Sequence, residues 1–523
     1  MYQFGATRPV IIVILDSSKG KKYMDIAVRK RFILAPFAAL LIGLSAICCM
    51  VFADTSSAAV PGGLGCQSSE GKISGRGSTY QNILLKEYAK VYGDDFCGSV
   101  AEQFAGDPAG NNMIAYNYPK AVTASATGSG NGVKAASCRT DAFAGTDIPY
   151  SRAQLEQLDG APGATGGCSP LAFEPPFEPK SAPFPAANDI QSNVMSFPVG
   201  GSSVTVAVHL TGGAGGSCPT GTVPTSLKFT AKEISRIYGG DAQTWNDPEL
   251  VKGAGAQGEN LGLSNCTGPI TRVVRQDSSG TTNILKQYLI RVDNERSGAV
   301  CKGEGNTVVH NWEAYFTTNT EWPGKQHVGE EGTCSAITTG AASGGPELIA
   351  KLKETAGGVG YIDLAEAVGQ SGIVLAGVEN ATGTKVEAPS IGGGPANCLY
   401  SALPAPPGSS NSDAVGLNAE DNWSNNNEGY ASAPANHENA TDLGSKYPIC
   451  GLTFDLVYTG LNSNNGEGKS AISRLTADQR RTMYSFFTFI LSSAGQEVPG
   501  KIHYAPLPSS WLPKLEQGFQ ENF

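Results

Sequence analysis

Residues 32 to 53 form an unbroken uncharged stretch, FILAPFAALLIGLSAICCMVFA, directly behind Arg29, Lys30 and Arg31. A basic flank, an apolar run and a small-residue exit are the marks of a secretory leader. A leader places the rest of the chain in an oxidising compartment, where cysteines can pair, and so narrows the possible folds further than composition does. Val51-Phe52-Ala53 offers a cleavage site after Ala53. The run is also long enough to span a bilayer, so an uncleaved anchor is the competing expectation. Met24 would give a leader of ordinary length. Cys48 and Cys49 would suit lipidation only behind a small residue, and Ile47 stands there. The expectation is an exported protein, at the cell surface, in a periplasm or extracellular, with residues 1–53 as signal peptide or N-terminal membrane anchor.

Ten cysteines follow the leader: Cys66, Cys97, Cys138, Cys168, Cys218, Cys266, Cys301, Cys334, Cys398 and Cys450. Their even number in an exported chain predicts disulfides, and wide spacings without C-x-x-C argue against zinc or a redox dithiol. Cys398 and Cys450 bracket a polar, loop-like stretch and are the pairing singled out. The five histidines are scattered without H-E-x-x-H, so no metal site is expected. Without residues 1–53, which hold seven Lys/Arg and two acids, 30 basic and 45 acidic side chains remain, a net charge of -15. That balance excludes nucleic acid as a partner, because phosphate-backbone binding needs clustered positive charge.

Residues 161–188 carry seven prolines without periodicity, and residues 404–446 are rich in Asn, Ser, Gly and Pro. Both read as surface insertions on a folded body. Elsewhere helical patterns alternate with short apolar strands. Ile83, Leu84, Tyr88 and Val91 make one helical face, and Ile284, Leu285, Tyr288, Leu289 and Val292 another. Residues 203–210, 270–274 and 452–458 read as strands. Strands interleaved with helices predict an α/β fold.

Three glycine- and hydroxyl-rich segments precede or open predicted helices: Gly75-Arg76-Gly77-Ser78-Thr79-Tyr80, Gly128-Ser129-Gly130-Asn131-Gly132-Val133, and Arg275-Gln276-Asp277-Ser278-Ser279-Gly280-Thr281. A helix start exposes unpaired N–H groups and the positive end of the macrodipole, glycine admits close approach, and hydroxyls add donors. Any one of them could be an ordinary capped helix; three together, one with an arginine, favour a site for a tetrahedral oxyanion. Gly253-Ala254-Gly255-Ala256-Gln257-Gly258 fits the dinucleotide pattern but follows a polar stretch rather than a strand. Gly468-Lys469-Ser470 lacks the upstream P-loop glycine, and no G-x-S-x-G elbow occurs.

In chain order, the segments 73–80, 128–134, 146–149, 197–201, 237–239 with Trp245, 273–281, 358–362, 447–449 and 504–508 resemble the landmarks of the PstS-type phosphate-binding proteins of ABC importers. The R-x-D-x-S-G-T element at Arg275–Thr281 is the most specific. The resemblance implies a two-lobed α/β fold of the type II periplasmic-binding-protein kind, with a ligand cleft between lobes joined by two hinge strands near residues 197–210 and 448–458. Residues 66–203 and 455–523 would form one lobe and 204–454 the other. It further implies phosphate held by Thr79, Tyr80, Ser129, Asp147, Arg275, Ser279, Gly280 and Thr281, with no cofactor or catalytic residue, and delivery to an ABC permease. Tyr80 stands where phenylalanine is usual, and Gly130-Asn131 replaces Ser-Gly. Chemistry supports two roles. Arg275 can offer paired N–H groups to an oxyanion while Asp277 holds the guanidinium. Asp147 accepts but cannot donate, so it demands a ligand that still carries a proton, as phosphate does at neutral pH and sulfate does not. The insertions, the cysteine load and Asn131 leave open a surface phosphate or oxyanion sensor or scavenger without a transporter. A secreted phosphatase would need a nucleophile–base pair or metal cluster that the sequence lacks.

Overall fold

β-Branched and aromatic runs supply the strands, and the strands join into one mixed sheet. The computed structural model describes residues 71–94, 114–116, 128–138, 141–148, 194–253, 260–292, 322, 340–402, 444–458 and 475–522. The leader, the 161–188 segment, nearly all of 404–446 and Gly468-Lys469-Ser470 lie outside these residues. Along the sheet the strands run β2 (Ile114–Tyr116), β1 (Ile73–Gly77), β3 (Phe143–Thr146), β11 (Cys450–Tyr458), β4 (Val194–His209), β8 (Gly358–Asp363), β6 (Thr271–Arg275) and β7 (Gly340–Ala342). β9 (Val374–Glu379) pairs with β4, β5 (Lys228–Phe229) and β10 (Val386–Glu387). β1 is parallel to β2 and β3, and β6 to β7 and β8, while β11 runs antiparallel to both β3 and β4.

β4 ties the two ends of the sheet together. From Val194 to Ser203 it pairs with β11, and from Val204 to His209 it pairs with β8, with β9 alongside Val206–Val208. The β4–β11 register slips between Thr453 and Phe454, opposite Gly200 and Pro198, so Val199 is the extra residue of a bulge. Proline lacks the N–H of a ladder and suits such a place, and a bulge re-aims nearby side chains. The Val199 carbonyl is satisfied by the Tyr88 hydroxyl at 2.9 Å and Gln496 Nε2 at 3.2 Å.

The helices are α1 (Asn82–Tyr92), α2 (Ser129–Cys138), α3 (Ala231–Gly239), α4 (Pro248–Lys252), α5 (Gly280–Arg291), α6 (Gly345–Glu354), α7 (Leu364–Ala367), α8 (Ala477–Leu491), α9 (Val498–Lys501) and α10 (Leu512–Asn522). α5 buries Ile284, Leu285, Tyr288 and Leu289, with Val292 just beyond it, as the periodicity predicts. α1 is turned from the expected face. It buries Leu84, Leu85, Tyr88 and Tyr92, while Ile83 and Val91 are only partly covered. The turn lets Tyr88 reach Val199 and sets Tyr92 edge-on to Phe486. Phe143, Phe197, Phe487 and Phe519 meet edge to face around the same core, where aromatic pairs add to burial.

Two disulfides occur among the described residues. Cys398–Cys450 is the pair expected from the sequence, and Cys218–Cys266 was not singled out there. The dinucleotide-like glycine stretch follows helix α4, not a strand. Among the described residues no helix is long and apolar enough to cross a membrane.

Candidate functional site

α1, α2 and α5, the helices opened by the three glycine- and hydroxyl-rich segments, carry no acidic residue in their first turns. α3, α4, α6, α7 and α8 each carry one, while α9 and α10, away from these segments in sequence, also lack one. An acid there would neutralise the positive end of the helix dipole; without one, the exposed N–H groups remain available to an anion.

The fold brings these three starts together. Gly130 N donates to Ser278 O at 3.2 Å, joining the α2 start to the loop before α5. Gly128 has φ +105°, and a Cβ there would lie 2.7 Å from Ser278 O and 2.8 Å from Asp277 Oδ2, so the approach admits only glycine. At Gly280 a Cβ would run into Asp147 Oδ2 and Ser129 Oγ. Arg275 Nη1 donates to Thr79 Oγ1 at 3.2 Å, linking β6 to the β1–α1 turn.

Arg275 closes β6 and is buried with Asp277 as an ion pair. Its Nε donates to Asp277 Oδ1 at 2.5 Å and its Nη2 to Asp277 Oδ2. Asp277 is itself held by Gly344 N at 3.0 Å. Burial pulls the guanidinium pKa down, but the Asp277 hydrogen bonds and charge outweigh it and hold Arg275 above its usual value. With Nε and Nη2 committed to Asp277, the Nη1 edge faces Thr79.

Asp147, just past β3, is buried among hydroxyls. Ser78 Oγ donates to its Oδ2 at 2.5 Å, Ser129 Oγ to Oδ2 at 3.2 Å, and Thr453 Oγ1 lies 2.7 Å from Oδ1. Burial pushes the carboxyl up to about 6; Ser78, Thr453, Ser129 and the Arg275 charge pull the other way. At neutral pH it is therefore mostly ionised, an acceptor set among the helix starts.

Other residues singled out in the sequence take supporting positions. Ser279 Oγ accepts from Thr282 N at 3.2 Å in the first turn of α5, and Thr281 is buried beside it. The Tyr80 ring turns away into the core, with its hydroxyl on Ser202 O and Gly451 O; its backbone N–H donates to Ser78 Oγ at 3.0 Å. Ser78 and Thr453, both on Asp147, were not picked out by sequence reasoning. Ser78 lay inside the first motif, and Thr453 lay in a run read only as a strand. Asp363 and Glu366, a buried carboxyl pair near Arg275, are both pushed up by burial. A proton kept on this pair spares the site further negative charge.

Gly280→Ala should cost an anion ligand at least tenfold in affinity, because the methyl group would displace Asp147 and Ser129. Titration of the variant beside wild type, with melting curves to exclude unfolding, checks this.

Comparison with known proteins agrees with this architecture. A stretch of 85 residues, 16% of the chain, is 36% identical to the phosphate-binding protein PstS of Haemophilus influenzae and spans 23% of that relative. The ancestral soluble variant of the human phosphate-binding protein shares the fold at 15% identity and TM-score 0.50, over 85% of this chain and 93% of that one. A phosphate-binding protein of Stenotrophomonas maltophilia aligns over the same shares at 17% identity and TM-score 0.48. The mixed α/β fold is that of the type II periplasmic-binding superfamily. A family model described as a PBP superfamily domain matches residues 66–403, well over half of the sequence, and the chain belongs to that superfamily.

Proposed function

We propose that the protein is an exported solute-binding protein that captures inorganic phosphate in the cleft built by Thr79, Tyr80, Ser129, Asp147, Arg275, Ser279, Gly280 and Thr281. The observation that carries the reading is the buried Asp147 carboxyl, ringed by the Ser78, Ser129 and Thr453 hydroxyls and set among helix starts and one arginine. An acceptor among donors suits an anion that still carries a hydroxyl hydrogen. The arginine is largely balanced by Asp277, so backbone N–H groups and hydroxyls, rather than net positive charge, would hold the ligand. The acidic chain is thus no obstacle to binding an anion.

In this reading residues 66–203 with 455–523, and residues 204–454, act as two lobes that close on the ligand, with β4 and β11 as the hinge strands. Capture and release need no bond to be made or broken, so the protein binds rather than turns over its ligand. An ABC permease is the natural recipient. The relatives named for phosphate binding support this assignment by likeness.

Ligand-stripped protein should melt higher as phosphate is added, with stabilisation of about 2.7 kcal/mol at a hundredfold excess over Kd. A melting temperature indifferent to phosphate would contradict the assignment.

A further inference from the structure

Asp147 also reaches into the core through its Oδ1. Its Oδ1 lies 2.7 Å from Thr453 Oγ1, and Thr453 Oγ1 lies 2.7 Å from Gln81 Oε1. Gln81 Nε2 in turn sits 3.0 Å from Asp455 Oδ1 and 2.8 Å from the Tyr116 hydroxyl, which donates to Ser78 O at 2.9 Å. Asp455 is fully buried on β11, two residues beyond Thr453, and its Oδ2 has no partner among the described residues. A continuous chain, Asp147–Thr453–Gln81–Asp455, therefore has a carboxyl at each end.

Hydrogen counting limits what this chain can do. Thr453 has one hydroxyl hydrogen and two close acceptors at equal distance, with the Thr146 carbonyl a weaker third at 3.3 Å. With the Gln81 nitrogen toward Asp455, Thr453 must donate to the Gln81 oxygen, and Asp147 must carry a proton to donate to Thr453. With the amide reversed, a protonated Asp455 donates to the Gln81 oxygen, the Gln81 nitrogen donates to Thr453, and Thr453 donates to an ionised Asp147. Tyr116 can turn its hydrogen from Ser78 O to the amide oxygen in that arrangement. Each arrangement holds one proton on the two carboxyls, at opposite ends.

We propose that this chain shares a single proton between the two carboxyls, and that Asp455, acting through Gln81 and Thr453, fixes the charge Asp147 presents and hence which anion the site accepts. The arrangement with Asp455 ionised would bury a carboxylate oxygen without a partner, which is costly, so the proton belongs on Asp455 and the charge on Asp147. The titration order agrees: burial and the Asp147 charge push Asp455 up to about 8, against about 6 for Asp147. The other groups facing these carboxyls are Tyr88 on α1 for Asp455, and Arg275, Tyr80 and Tyr504 for Asp147. An ionised Asp147 takes the hydroxyl hydrogen of phosphate; a protonated one would welcome a fully ionised anion such as sulfate. Asp455 and Thr453 are thus positioning residues for selectivity.

The inference rests on the phosphate reading, and its test separates the two. Phosphate would be titrated by calorimetry at pH 7 and pH 9 into wild type, Asp455→Asn, Thr453→Val and Thr453→Ser. Asparagine mimics the protonated acid by donating to Gln81. Wild type should lose about tenfold more affinity than Asp455→Asn between the two pH values, since pH 9 lies one unit above the Asp455 titration. Titrations common to both proteins cancel in this comparison. Thr453→Val should lower the phosphate-to-sulfate affinity ratio by about tenfold, and Thr453→Ser should restore it. An identical alkaline loss in wild type and Asp455→Asn, or an unchanged ratio in Thr453→Val, overturns the relay while leaving phosphate binding intact. If wild type binds no phosphate, the functional reading fails instead. The relay is then decided in ligand-free protein by carboxyl 13C titration, where Asp147→Asn must lower the Asp455 pKa, and no change overturns it.

Discussion

Replacing Arg275 by alanine should weaken phosphate binding by about a thousandfold, the largest loss expected of any single side chain in the cleft. Two effects add. The variant loses the guanidinium placed against Thr79, and charge-assisted hydrogen bonds contribute roughly 1.5–3 kcal/mol each. It also leaves Asp277 buried without its partner, and breaking such a pair costs about 3–5 kcal/mol. Part of the second cost appears as lost stability, so affinity and urea denaturation should both be measured. Arg275→Lys keeps the charge but not the fork that grips Asp277, and it should recover only a minor share of the affinity. Phosphate affinity within threefold of wild type in a folded alanine variant would remove Arg275 from the site.

Asp147→Asn should leave phosphate bound but let sulfate compete, narrowing the preference by about two orders of magnitude. Asparagine offers an N–H where the carboxylate offered only lone pairs, so a fully ionised anion gains a donor and loses a repelling charge. Wild type should follow the same course on acidification. The Asp147 pKa is raised to about 6, so the carboxylate is present above that value and takes a proton as pH falls through it. Sulfate binding should therefore emerge below about pH 6 in wild type and depend little on pH in the asparagine variant. Competition titrations at pH 5 and pH 7.5 separate these outcomes, and a sulfate affinity unchanged between them in wild type would refute the role given to Asp147.

Much of this was legible in the sequence because it was encoded locally. Arg275 and Asp277 stand two residues apart, and their ion pair follows from that spacing. Each of the three glycine-rich starts lies next to the helix it opens, and the helical face from Ile284 to Val292 follows from periodicity. Cys398 and Cys450 could be paired because they bracket one polar stretch. Long-range relations were harder. Thr453 meets Asp147 across 306 positions of chain and Gln81 across 372, and strand periodicity names no partner at such separations. A signal did exist: Thr453 and Asp455 alternate along the buried strand β11, where an acid needs a reason to be. The full length of β4 was not visible in periodicity either, although the family resemblance placed a hinge strand near residues 197–210. Residues 203–210 alone read as a strand, yet pairing with β11 and then β8 carries it from Val194 to His209. The buried face of α1 was set by what Tyr88 and Tyr92 meet, a tertiary matter that periodicity alone leaves one position uncertain.

A buried acceptor among helix starts should select an anion carrying a proton. Calorimetric titration of ligand-stripped wild type at pH 7.5 with phosphate and then sulfate tests it most directly. Phosphate should bind saturably, one to one, and sulfate at the same concentration should give no detectable heat. Equal binding of the two anions, or binding of neither, would contradict it.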